Sequence, residues 1–156
     1  MGVEIERKFL VNKEKWASAP KGPGALYHQG YLHTEPGKTI RVRLTPSAGY
    51  LTIKGRTVGL TQPEYEYEIP LQDAQELLNL FCTSIVTKTR YRLEVAGKLW
   101  EVDEFAEQNK GLLLAEIELA TEAESFTLPD WIEEEVTGDK RYSNARLAIN
   151  PYQTWQ

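Results

Sequence analysis

The sequence predicts a mainly β (α+β) fold: an antiparallel β-barrel of about eight strands, closed on itself as a tunnel, with a charged interior and a few covering helices. Apolar and charged residues alternate through nearly every β-forming segment, as in Ile40-Arg41-Val42-Arg43-Leu44 and Glu64-Tyr65-Glu66-Tyr67-Glu68-Ile69. Short turn signals separate the segments, Pro46-Ser47-Ala48-Gly49 and Ala96-Gly97-Lys98 among them, and such turns join antiparallel neighbours. Helical periodicity is confined to a few short stretches.

Alternation and β-formers bounded by breakers place strands at about 2–11, 25–33, 38–45, 49–56, 63–70, 86–95, 98–105 and 111–120. Segment 12–18 suits a short helix, and Gly22-Pro23-Gly24 a loop. Leu71, Ala74, Leu77, Leu78 and Phe81 form a helical stripe over 71–81, directly after Pro70, which reads as a helix covering a core. Residues 139–149 carry a weaker helical pattern, stopped by Asn150-Pro151. Glu133-Glu134-Glu135 reads as solvated acidic surface, and Cys82, at the end of the helical stripe, as a buried rather than reactive thiol. No linker or repeat interrupts the chain, so residues 1–156 are expected to form one domain.

Composition excludes several classes of function. A net charge of −5 argues against a general nucleic-acid or membrane binder. No apolar run approaches the roughly 20 residues of a membrane span, and the N-terminus shows no signal-peptide pattern. The single cysteine allows no internal disulfide, which suits a reducing compartment, so a cytoplasmic protein is expected. His28 and His33 are the only histidines, and their odd separation on one strand points them to opposite faces. Cys/His zinc sites need about four ligands, so a metal here is expected to be held by oxygen.

The charges repeat in register. Glu4, Glu6 and Lys8 share one face of the first strand, with Ile5 and Phe9 behind them. Arg41 and Arg43, then Lys54, then Glu64, Glu66 and Glu68 continue the pattern. Lys88, Arg90 and Arg92, then Asp103, then Glu116 and Glu118 complete it. An ordinary half-buried strand also alternates, with its polar face in water. Here, however, the polar faces are short of Ser, Thr, Asn and Gln, and like charges recur at i, i+2 on single strands. Such repeats cost energy unless opposite charge is close. Barrel closure with these faces inward makes a wet, ionic lumen, and the apolar faces then need cover outside.

That lumen suits a metal-bound polyanion. Arginine and lysine hold phosphate oxygens, and Lys8, Arg41, Arg43, Lys54, Lys88 and Arg90 are too many for one phosphate but suit a linear tri- or polyphosphate chain. Carboxylates without histidine favour Mg²⁺ or Mn²⁺, as one or two ions, and Glu4, Glu6, Glu64, Glu66, Asp103, Glu116 and Glu118 are the candidate ligands. Other chemistries lack their motifs: no P-loop and no G-x-S-x-G elbow occurs. Tyr31, Tyr65 and Tyr91 are the aromatics a nucleoside pocket would need, but Tyr65 and Tyr91 fall on the apolar face and read as core.

The chain resembles the CYTH, or triphosphate tunnel metalloenzyme, superfamily. The resemblance begins at Glu4-x-Glu6-x-Lys8 within EIERKFLV. It continues through QGYL at 29–32, R-x-R at 41–43, TIK at 52–54, EYE at 64–66, KTRY at 88–91, VDEF at 102–105, E-x-E at 116–118 and EVTGDKRYSNARLA at 135–148. It implies an eight-stranded antiparallel tunnel and a divalent-metal-dependent hydrolase of triphosphates, most similar to the short bacterial inorganic triphosphatases. It further implies that Glu4, Glu6, Glu116 and Glu118 bind metal with Asp103, Glu64 and Glu66, while Lys8, Arg41, Arg43, Lys54, Lys88 and Arg90 bind phosphate. Lys8, Glu4 and Glu6 are expected to be catalytic. A C-terminal helix from Asp139 would close one tunnel end, with Lys140 or Arg141 either reaching the substrate or lying on the surface. The expected partner is a small-molecule triphosphate, with no nucleic acid and no membrane, and a homodimer stays open. The alternatives are an adenylyl cyclase, a thiamine or nucleoside triphosphatase, and a polyphosphate-binding module without turnover.

Overall fold

Antiparallel pairing of every strand with a neighbour builds the molecule around one curved sheet. The structure, a computed structural model, describes residues 2–155. In chain order its elements are β1 (Val3–Val11), α1 (Lys13–Ser18), β2 (Ala25–Glu35), β3 (Lys38–Leu44), β4 (Gly49–Gly55), β5 (Thr61–Ile69) and α2 (Leu71–Phe81). There follow β6 (Ile85–Val95), β7 (Lys98–Phe105), β8 (Leu113–Glu118), β9 (Ile132–Glu135) and α3 (Asn144–Ile149). The strand order is β5-β4-β3-β2-β6-β7-β8-β1-β9, and β1 also pairs with β5. That last pairing, Val3 with Pro63 through Ile5 with Thr61, closes the sheet into a ring. β1 therefore splits its duties along its length: its beginning pairs with β5 and its end with β9.

Local chemistry fixes the turns. Ala96 and Gly97 join β6 to β7 with φ of 50° and 79°, the two left-handed residues of a turn whose twist matches its strands. Thr45 caps the β3–β4 turn, accepting from Ala48 N at 3.0 Å through its hydroxyl. α2 presses on the start of β4 so closely that a Cβ on Gly49 would stand 2.6 Å from Ala74 Cβ.

The outward apolar face is covered in two places. Phe9, Val11, Trp16, Trp100, Val102, Ala115, Ile117, Leu119 and Trp131 form one core between the sheet and a layer made of α1 and the segment leading to β9. Its aromatic rings meet edge to face, Trp100 with Trp131 at 6.0 Å and Trp16 with Tyr91 at 5.5 Å. Val42, Ala74 and Leu78 form a second core under α2. A third cluster closes one end of the barrel. Leu10, Val86, Phe105 and Leu114, on the inward register, pack against Tyr142, Leu147 and Ala148 of the C-terminal segment. No helix of the described residues is long and apolar enough to cross a membrane.

Several expectations need correction. Residues 132–135 are strand, not only acidic surface: Arg7 clamps Glu135 at 2.6 Å and Asn12 donates to Glu133 at 2.9 Å, which ties β9 to β1. The histidines do not point to opposite faces. A register shift between Tyr31 and His33 pairs His33 with Ile40, while His28 pairs with Leu44, so both histidines stand on the outer face. Tyr65 is 50% exposed and not core, whereas Tyr91 packs as expected. The 139–149 helix is broken by Ser143, whose hydroxyl caps α3, leaving a single 3₁₀ turn at Lys140–Tyr142 before it.

Trp100, fully buried among other rings, gives the first test. Trp100→Ala is expected to lower unfolding stability by roughly 3–5 kcal/mol, read as a shifted urea midpoint.

Candidate active site

Register, rather than sequence proximity, assembles the lumen. The residues opposite the outer cores face inward on seven of the nine strands: Glu4, Glu6 and Lys8 on β1, Arg41 and Arg43 on β3, Lys54 on β4, and Glu64 and Glu66 on β5. Lys88 and Arg90 on β6, Asp103 on β7, and Glu116 and Glu118 on β8 complete the ring. Across strands Lys8 pairs with Glu116 and Glu6 with Glu118, Lys54 with Glu64, and Arg90 with Asp103.

One wall is basic and deeply buried. Asp103 lies at its centre, accepting from Arg90 Nε at 2.8 Å, Arg90 Nη2 at 2.9 Å and Lys88 Nζ at 2.8 Å. Burial alone would raise the Asp103 pKa, but Arg90 and Lys88 outweigh it and hold the carboxyl at about 2. Burial, then the adjacent Arg90 and Arg43, push Lys88 down to about 7 against the pull of Asp103. Arg90 also reaches Glu116 at 3.1 Å, and Lys8 approaches Glu116 from the other side at 3.7 Å. Burial works against the charge of Glu116, yet Lys8, Arg90 and Lys88 keep its pKa below the usual carboxylate range. The Tyr27 ring receives two guanidiniums, with Arg43 at 5.1 Å and Arg90 at 5.3 Å from its centroid. Arg41 donates to Thr52 at 3.2 Å and stands 3.5 Å from Glu66.

The facing wall is acidic and self-repelling. Burial, then Glu116 and Glu4, raise the Glu6 pKa well above its ordinary value. Burial and Glu4 raise Glu64, while burial, Glu4 and Glu101 raise Glu118. Lys54 sits among these acids, 3.0 Å from Glu4 and 3.4 Å from Glu64, and partly neutralises them. Among the described residues no three His, Cys, Asp or Glu side chains converge closely enough to hold a metal ion as they stand. The donor set nevertheless fits a hard divalent cation. It offers only carboxylate oxygens, and burial together with neighbouring carboxylates raises the pKa of Glu6 and Glu64, a strain that a bound cation would relieve.

The profile of the CYTH domain matches residues 2–148. The chain belongs to the CYTH domain family. An inorganic triphosphatase from Acetivibrio thermocellus is 47% identical to it over 157 residues, covering 100% of this chain and 99% of that protein. An inorganic triphosphatase from Nitrosomonas europaea is 39% identical over 154 residues, covering 94% and 97%. A solved crystal structure of an inorganic triphosphatase superposes on this CYTH chain with a TM-score of 0.64 at 37% identity, covering 94% and 97%. A conserved hypothetical protein from Pyrococcus furiosus, 20% identical with a TM-score of 0.59 over 77% and 80%, shares the fold.

Residue-type reasoning passed over several contributors to this CYTH lumen. Gln29 is fully buried and accepts from Arg43 Nε at 2.9 Å. Glu101 takes Arg90 at 3.2 Å and Arg92 at 3.0 Å; its parity with Asp103 was the available signal. Arg92 itself is 61% exposed at the rim, and Glu68 is exposed. The C-terminal segment reaches inward through groups the sequence did not mark. The Tyr142 carbonyl accepts from Lys8 at 3.1 Å, and Asn144 Oδ1 accepts from Lys88 at 3.0 Å. Lys140 and Arg141 lie exposed, with Arg141 bound to Asp139 at 2.7 Å.

Asp103→Asn removes the partner of two buried cations, and is expected to cost roughly 3–5 kcal/mol in urea unfolding at neutral pH. The Asp103 pKa is depressed in the folded state. Its contribution is therefore complete above the unfolded value of about 3.9 and disappears as pH falls toward about 2, so the gap between variant and wild type should close over that window.

Proposed function

We propose that this chain is a divalent-metal-dependent inorganic triphosphatase that cleaves tripolyphosphate to pyrophosphate and phosphate. The observation that carries the reading is one closed lumen with a basic wall set against an acidic one. The names of two full-length relatives support it.

In this reading Arg41, Arg43, Lys54, Lys88 and Arg90 bind the phosphate chain and fix it in line. Glu4, Glu6, Glu64, Glu116 and Glu118 would hold Mg²⁺ or Mn²⁺, with Glu66 beside them. A bound ion neutralises phosphate charge and supplies a water of lowered pKa. The remaining task is positioning and charge neutralisation, which dominate phosphoryl transfer. Water attacks the terminal phosphorus, the bridging P–O bond breaks, its electron pair leaves with pyrophosphate, and the proton of the attacking water passes to solvent. Lys8, held between Glu116 and the Tyr142 carbonyl, stands against that leaving charge. Asp103 has both oxygens engaged by Lys88 and Arg90, so its part is to keep the basic wall in place rather than to bind metal.

A phosphate-release panel tests the proposal. With Mg²⁺ or Mn²⁺, tripolyphosphate is expected to be hydrolysed faster than ATP, GTP, thiamine triphosphate or pyrophosphate, and EDTA should stop turnover. Cyclic AMP formed from ATP would favour a cyclase, and tight tripolyphosphate binding without release a binding module. Lys8→Ala and Glu4→Ala are each expected to lose turnover with an unchanged circular-dichroism spectrum. Near wild-type rates in either variant would overturn the assignment.

A further inference from the structure

Gln29 stands in the middle of β2 on the inward register, fully buried. Across the strands it faces Arg43 and Val86. Val86 belongs to the apolar cluster that closes the barrel end, so Gln29 marks the inner limit of the ionic lumen. Its Oε1 accepts from Arg43 Nε at 2.9 Å. A guanidinium only donates, so this contact fixes which way round the amide lies. The reversed amide would set N–H against N–H.

The other half of the amide has nothing to bond. Gln29 Nε2 is buried and without a hydrogen-bond partner among the described residues, and Arg41 Nε is in the same condition. Buried donors left this way are rare, and each one calls for a specific explanation. The basic side chains of this wall, Arg41, Arg43, Lys88 and Arg90, are all donors and offer no acceptor. Burial, with Arg41 and Arg90 nearby, already pushes Arg43 down to about 10. A further cation at position 29 would add to that repulsion, and a carboxylate would compete with an incoming anion. Glutamine instead gives Arg43 an acceptor and gives an anion a donor, at no net charge.

We propose that Gln29 contacts the substrate directly, donating its amide N–H to an oxygen of the innermost phosphoryl group while its carbonyl steers Arg43 toward the same group. The proposal rests on the triphosphatase reading above. The test uses the full chain labelled with nitrogen-15 and titrated with tripolyphosphate in EDTA, the Gln29 side-chain resonances being assigned by their loss in Gln29→Leu. They are expected to move downfield and to show coupling to phosphorus. Tripolyphosphate affinity of Gln29→Leu, and 1/KM under Mg²⁺, should fall roughly 10- to 100-fold, the usual scale for a hydrogen bond to a charged group.

If Arg41 and Arg43 backbone signals move while the Gln29 amide does not, the residue only positions Arg43 and direct contact is overturned. An affinity and KM in Gln29→Leu equal to wild type overturn the proposal as well. Should the metal-free protein not bind, the same titration is run with Mg²⁺ in Lys8→Ala, which is expected not to turn over, and the Gln29 side-chain resonances decide there. A wild type that neither binds tripolyphosphate nor releases phosphate from it sinks the triphosphatase reading, and this inference with it.

Discussion

Asp103 is the fixed point of the lumen's electrostatics. Two basic side chains, Lys88 and Arg90, are almost fully buried beside one another, an arrangement that repels itself unless an anion lies between them. Asp103 supplies that anion with both oxygens, and the β6–β7 register puts it directly opposite Arg90. Arg90 is then oriented to reach Glu116, Glu116 approaches Lys8, and the opening strand is drawn into the same network. The chain of contacts runs from β7 through β6 and β8 to β1, so the geometry of the basic wall and the closure of the ring are parts of one problem.

Turning charge inward obliges the apolar face outward, and the rest of the chain answers that demand. α2 covers β3 and β4, and α1 with the segment around Trp131 covers the other side. Cover is incomplete where β4 and β5 run together: Ile53, Tyr65 and Tyr67 remain exposed. Glu64, Glu66 and Glu68 alternate with those tyrosines but stand on the opposite face, so the outer side of β5 carries an uncovered aromatic pair.

The period of two carried most of the fold into the sequence. Ile40-Arg41-Val42-Arg43-Leu44 can only be a strand with one ionic and one apolar face, and the structure gives β3 that form. The α2 stripe was equally plain, its bounds agreeing at Leu71 and Phe81. β9 was hidden because three successive glutamates have no alternation; what makes it a strand is backbone pairing with the distant β1, Phe9 opposite Glu135 and Val11 opposite Ile132. The face of His33 is not legible in the sequence, because one extra residue in β2 reverses parity and nothing in the letters announces it. Inside the lumen, charge made thirteen ionic positions visible, but a neutral Gln29 and a backbone carbonyl at Tyr142 carry no such mark. Those contributions arise only when strands are paired and the C-terminus is folded back.

The C-terminal segment joins the two themes. Its apolar side chains, Tyr142, Leu147 and Ala148, plug one barrel end against Leu10, Leu114, Phe105 and Val86. From the same segment the Tyr142 carbonyl and the Asn144 amide oxygen reach Lys8 and Lys88. Both are neutral acceptors, so they orient the two ammonium groups without cancelling the charge that an anion needs. A second carboxylate in either place, beside Glu116 or Asp103, would hold the lysines more tightly and compete further with a phosphate for them. Closure and preparation of the basic wall thus come from one short segment: hydrophobic packing sets its position, and that position delivers two acceptors to the cations.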